Sequence, residues 1–83
     1  MLVELYTKPN CVFCEKAKAL LKAKGIDYDE YEIGKHVSVD YIKQQYPTMK
    51  TVPIILVDYE MIGGFSELNE RLMDYETNIY LTQ

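Results

Sequence analysis

The stretch VPIILVD, Val52 to Asp58, is the most apolar run in the chain and limits the folds open to it. A strand with apolar side chains on both faces has to be covered on both faces, which calls for a sheet held between helices. Pro53 fits the beginning of such a strand, where a missing N–H costs little of the ladder.

The neighbouring segments supply the partners. Leu2 to Thr7 alternates in polarity and runs into Lys8-Pro9-Asn10, a strand followed by turn chemistry. Asn10 is a favoured N-cap, and from Cys11 onward Cys14, Ala17, Leu20 and Leu21 recur at helical spacing until Gly25 closes the helix. Ile26 to Ile33 reads as a second strand, with Gly34-Lys35-His36 as a loop after it. Ser38 caps a short helix that puts Val39, Ile42 and Tyr46 on one face, and Pro47 stops it. After the central strand, a turn at Asp58-Tyr59-Glu60 leads to a brief strand at Met61-Ile62, which Gly63-Gly64 breaks. Ser66 caps a last helix with Leu68, Leu72 and either Tyr75 or Met73 turned inward.

The predicted order is β-α-β-α-β-β-α. A right-handed crossover makes the first two strands parallel, while the short turn forces the last two to be antiparallel. The expectation is an α/β fold with a mixed four-stranded sheet flanked by helices, as one domain over residues 1–83. With 83 residues there is no spare length for a second core, and neither repeats nor linkers occur.

A formal charge of −4 and the lack of a basic run exclude nucleic acid as a partner, because such binding draws on clustered lysines and arginines. The first six residues, MLVELY, do not resemble a secretory signal, and no segment has the length and apolarity of a membrane span. Two cysteines are too few for a secreted disulfide framework. The expected location is the cytoplasm.

Those two cysteines sit in "PNCVFCEK", three residues apart at a helix start. A thiol reacts as its thiolate, and helix N-termini and CxxC pairs favour the anion through unpaired N–H groups and the dipole. Lys8 adds a cation on the approach, while Glu15 opposes it. Cys14 faces the same side one turn deeper, so Cys11 can attack an external disulfide and Cys14 can resolve the mixed disulfide. Two other readings stand beside this one. A CxxC is half of a zinc site, but His36 is the only histidine and no third cysteine exists, so one copy cannot assemble four ligands; His36 reads as a solvated loop residue. Alternatively, both cysteines are small buried residues without chemistry.

Two further segments bear on the choice. In "TVP", Thr51 to Pro53, the proline leaves adjoining backbone free for an extended peptide. In "GGFSE", Gly63 to Glu67, paired glycines before a helix let a ligand approach backbone N–H groups that suit a carboxylate. Each alone is an ordinary strand edge or turn.

Taken together, "YTKPNCVFC", "TVP", "VD" and "IGGFSEL" resemble the glutaredoxins, reductants of thioredoxin-like fold that use glutathione. The likeness runs from Leu2 to about Leu72. It implies that Cys11 is the nucleophile, that Cys14 resolves, and that Lys8 meets a glutathione carboxylate. Phe13 stands where the family often has Tyr. The resemblance further implies that Thr51-Val52-Pro53 is a glutathione-binding segment with a cis bond before Pro53, the Val52 backbone pairing the cysteine of glutathione. Gly64, Phe65, Ser66 and Glu67 would then hold its γ-glutamyl end. Val12 stands where many dithiol members have proline, and Glu67 where many have Asp.

The implied function is glutathione-dependent reduction of protein disulfides and glutathione mixed disulfides by a monomer without bound metal. Ribonucleotide reductase is a partner by similarity. One alternative is a reductant for that enzyme recharged by thioredoxin reductase. Another is an iron–sulfur cluster held between two copies by Cys11 and glutathione, which the absence of proline at position 12 would permit.

Overall fold

A computed structural model describes the backbone of residues 1–81 and the side chains of residues 1–73. Seven elements follow one another: β1 (Val3–Thr7), α1 (Val12–Ala23), β2 (Tyr28–Glu32), α2 (Val39–Gln45), β3 (Ile54–Val57), β4 (Glu60–Gly63) and α3 (Phe65–Leu81). The sheet order is β2-β1-β3-β4. β1 pairs parallel with β2 and antiparallel with β3, and β3 pairs antiparallel with β4. This is the expected mixed sheet in a thioredoxin-like fold.

The side-chain period of two explains why the central strands are so apolar. Val3 and Leu5 of β1, with Ile55 and Val57 of β3, meet Ala17 and Leu21 of α1 and Leu68 and Leu72 of α3. Tyr6, Ile54 and Leu56 point the other way, onto Ile42 of α2 and Ile33. Every residue of β3 is therefore buried. On the α2 face the Tyr6 ring lies 5.6 Å from that of Tyr31 and 5.7 Å from that of Tyr46. Burial, and then Tyr46 beside it, push the Tyr6 hydroxyl well above its ordinary range, so it stays neutral.

Several ends differ from the sequence reading, each for a local reason. Ile26 is not in β2: its N–H bonds the Leu21 carbonyl at 2.9 Å while Gly25, at φ +70°, bonds Lys22, the paired closure of a Schellman motif. β3 begins after Pro53, since Val52-Pro53 lies outside the ladder, and ends before Asp58. Asp58 and Tyr59 both have positive φ, which turns the hairpin sharply enough for β4 to start at Glu60 and include Gly63. Ser38 does cap α2, its Oγ accepting the Tyr41 N–H at 3.0 Å. Of the residues expected inward on α3, Leu68 and Leu72 are buried but Met73 is 59% exposed, and Tyr75 lies outside the described side chains. Among the described residues, no helix is long and apolar enough to cross a membrane.

One polar group is enclosed by this packing. Thr7, 1% exposed, donates its hydroxyl to Glu30 Oε2 at 2.7 Å, and Lys18 reaches the same oxygen at 3.2 Å. The Thr7 hydroxyl, with help from Lys18, holds the Glu30 carboxyl below the usual range.

Candidate functional site

After β1 the chain turns through Pro9-Asn10 before α1. Asn10 was the expected cap, but it takes a left-handed conformation at φ +57°, which asparagine tolerates, and Cys11 becomes the N-cap. Cys11 has the extended backbone of a cap, φ −107° and ψ 108°, and its Sγ accepts the Cys14 N–H at 3.1 Å. The reactive atom therefore occupies the place a capping oxygen would take, facing the unpaired N–H groups of the first turn.

Cys11 and Cys14 are joined by a disulfide, with Cα atoms 5.2 Å apart. Cys11 is half-buried while Cys14 is 1% exposed. An incoming group can reach only the first sulfur, and that asymmetry orders the chemistry. The Cys11 sulfur also lies 3.8 Å from the Val52 carbonyl oxygen, which ties the helix start to the segment before β3. The Val52–Pro53 peptide bond is cis. The Val52 N–H bonds nothing among the described residues.

Beside Val52 lies a cleft of about 280 Å³, lined by Phe13, Thr51, Val52, Pro53, Gly64, Phe65, Ser66 and Glu67. Eight of the sequence candidates thus share one hollow. The rings of Phe13 and Phe65 stand 6.1 Å apart at its mouth, and Lys16 places its ammonium 5.0 Å over Phe13. Lys8 does not line this cleft. It lies across Thr51 and Val52, on a second and larger groove that also takes in Phe13.

The turn into α3 corrects another expectation. The helix already begins at Phe65, so Ser66 is inside it and Gly64 precedes it, its carbonyl accepting the first bond from the Leu68 N–H at 3.1 Å. Glu67 reaches back and its Oε1 accepts the Gly64 N–H at 2.7 Å, the returning half of a capping box. Gly63, at φ +127°, leaves room for that carboxylate: a Cβ there would sit 2.5 Å from Glu67 Oε1. Sequence reasoning found Glu67 but missed this bond; the Gly-x-x-Glu spacing was the available signal. His36 donates nothing to the site, its Nδ1 accepting the Glu32 N–H at 2.9 Å in the loop after β2.

The glutaredoxin family model matches residues 3–62. Over 68 residues the chain is 41% identical to glutaredoxin 3 of Escherichia coli K12, covering 80% of each. Glutaredoxin 1 of Francisella tularensis, solved in complex with cacodylate, shares its structure at a TM-score of 0.74 and 30% identity over 92% of this chain and 96% of that one. A buckwheat glutaredoxin, solved as a glutathione complex, reaches a TM-score of 0.77 at 25% identity, covering 96% of this chain and 76% of its own. Because the matched region takes in the capping cysteine, its buried partner and the cis Val52–Pro53 bond together, the chain belongs to the glutaredoxin family, whose chemistry is thiol–disulfide exchange.

Proposed function

We propose that the chain reduces protein disulfides and glutathione mixed disulfides through Cys11 and Cys14 and is recharged by glutathione. The observation that carries this reading is the pairing of a half-buried Cys11, its sulfur 3.8 Å from the Val52 carbonyl, with a cleft that Val52 itself lines. In the forward direction the Cys11 thiolate attacks one sulfur of a substrate disulfide. The substrate's other sulfur leaves as a thiolate and takes up a proton. Cys14, deprotonated, then attacks the Cys11 sulfur of the mixed disulfide and expels the second substrate thiolate. Two electrons pass to the substrate and the protein is left as the Cys11–Cys14 disulfide.

Recharging runs the same exchange backward. One glutathione thiolate opens the Cys11–Cys14 bond at Cys11, and a second attacks the resulting mixed disulfide, leaving glutathione disulfide and two protein thiols. Glutathione carries two carboxylates and one ammonium. The free Val52 N–H and its carbonyl suit the peptide's central residue, as an extended segment suits an exposed strand edge. The first turn of α3 offers unpaired N–H groups from Phe65 and Ser66 to the γ-glutamyl carboxylate. Glu67 keeps Oε1 on Gly64 and has its second oxygen for the ammonium. Lys8, beyond Thr51, suits the remaining carboxylate, and Phe13 walls the cleft between.

The glutathione complex of the buckwheat relative supports this assignment. Disulfide-bearing proteins, ribonucleotide reductase among them, are the substrates we propose, and a monomer in the reducing cytoplasm suits the cycle. The test is to supply electrons to the oxidised protein from two sources in parallel: glutathione with glutathione reductase, and thioredoxin reductase alone. Rapid reduction by glutathione and slow reduction by the reductase is the expected result. The opposite pattern would overturn the reading in favour of a thioredoxin-reductase-coupled donor.

A further inference from the structure

The second groove, about 450 Å³, is larger than the cleft assigned to the rest of glutathione, meets it at Phe13, Thr51 and Val52, and holds Lys8, the residue assigned to the remaining glutathione carboxylate. Its floor is apolar, formed by Ile33, Ile42 and Ile54, where the α2 core comes to the surface. Val39, 45% exposed, and Met49 carry that apolar surface outward. Lys8, Lys43 and Lys50 stand around it. All three are exposed, and none has an acidic partner among the described residues. In a chain of formal charge −4, three uncompensated lysines around one hollow are a segregation of charge that packing does not require.

An apolar floor ringed by cations suits one kind of occupant: an extended polypeptide with a large apolar side chain between carboxylates. The groove shares Phe13, Thr51 and Val52 with the cleft, and the Val52 carbonyl is 3.8 Å from the Cys11 sulfur. A residue seated there is thus only a few residues along the chain from a cysteine positioned for exchange. Two copies of the chain joined through this face by a two-fold axis would set lysines against lysines, which argues against self-association. Glutathione has no apolar side chain to fill the floor.

We infer that the groove between α2 and the Thr51-Val52 segment docks an acidic segment with a central apolar residue, lying next to the cysteine of a disulfide-bearing protein substrate. This rests on the exchange reaction proposed above and adds the substrate's sequence class. Lys43, Lys50 and Val39 act as specificity determinants; they touch none of the reacting atoms.

The test compares disulfide-bridged peptides in which Asp-Leu-Asp, Asp-Ser-Asp or Lys-Leu-Lys follows the second cysteine, with bis(2-hydroxyethyl) disulfide as a small neutral control. Turnover is read as kcat/KM with glutathione and glutathione reductase. The Asp-Leu-Asp peptide is expected to lead both others by about fivefold to tenfold at low salt, and the lead over Lys-Leu-Lys to shrink as salt rises. The double variant Lys43→Glu/Lys50→Glu should reverse the charge preference, and Val39→Asp should remove the preference for Leu over Ser. Both should leave turnover of the small disulfide unchanged. Equal kcat/KM for all three peptides, with the small disulfide still turned over, would overturn the groove inference alone. Failure of glutathione to support turnover of the small disulfide would overturn the function on which it rests. Self-association of the wild type abolished by the lysine variants, or binding of the wild type to phosphatidylserine vesicles abolished by them, would assign the groove to another occupant and overturn the inference equally.

Discussion

The backbone N–H of Cys14 donates to the sulfur of Cys11 at 3.1 Å, so the residue that carries the chemistry also caps its own helix. An anion at that atom gains from the hydrogen bond and from the amide-rich end of α1, and the neutral thiol gains less from both. In the reduced protein the alkylation midpoint of Cys11 is therefore expected below the value of about 8.5 for an unperturbed cysteine. Cys14→Ser preserves the backbone N–H and should keep the midpoint low. Iodoacetamide rates measured against pH check this; a Cys14→Ser midpoint at the free-thiol value would remove the capping argument.

The difference in access between the two sulfurs separates their roles. Cys11→Ser should abolish both reactions, because Cys14, at 1% exposure, cannot meet a substrate. Cys14→Ser should lose reduction of protein disulfides, which needs resolution from within, yet keep the removal of glutathione from mixed disulfides, which a second glutathione can complete. Assays of the two reactions on both variants decide it. Full activity of Cys11→Ser in either reaction would reverse the assignment.

How much of this the sequence disclosed depends on how local the cause is. Ser38 as a cap, Gly25 as a helix closer and the two-faced burial of Ile54 to Val57 follow from spacing within a few residues, and all three are observed. The cap of α1 was misread because Asn10 and Cys11 adjoin. Asparagine is the better capping residue, but it is also the one that tolerates the left-handed turn, and the turn left the cap to sulfur. Ser66 differs from its expected role for a similar reason, since Gly64 and Glu67 satisfy the helix start between them two residues earlier. The groove was invisible because Ile33, Ile42 and Ile54 are far apart along the chain and meet only in the folded protein.

The Thr7 hydroxyl is enclosed, and Glu30 accepts its hydrogen bond. Glu30→Ala should destabilise the fold by about 1–2 kcal/mol, since a buried hydroxyl is left without that acceptor. The Lys18 bridge adds little, because both side chains remain partly in water. Because Thr7 and Lys18 lower the Glu30 pKa in the folded state, this contribution is complete above the unfolded value near 4.5 and fades as pH falls through the lower folded value. Urea unfolding of wild type and Glu30→Gln between pH 7 and pH 3 checks the sign: the gap between them should narrow on acidification. A gap that widened would contradict it.

Gly63 and Glu67 constrain each other at the turn that shapes the cleft. Gly63→Ala is expected to cost about 1–3 kcal/mol, from a side chain forced into φ +127° and from a Cβ within 2.5 Å of the Glu67 carboxylate. Glu67→Ala should cost about 1 kcal/mol, because the Gly64 N–H loses its acceptor. In the double variant the collision is gone and only the backbone strain and the lost bond persist, so its cost should fall short of the sum of the singles. The same holds if Glu67 swings aside in Gly63→Ala, since the bond to Gly64 is then already broken. Glu67→Gln separates stability from recognition: its amide oxygen still accepts the Gly64 N–H and should keep the melting temperature, while loss of the charge should raise KM for glutathione several-fold. Thermal unfolding of the four proteins and steady-state kinetics of Glu67→Gln measure both parts. Additive costs within about 0.5 kcal/mol would show that the two residues do not meet as described.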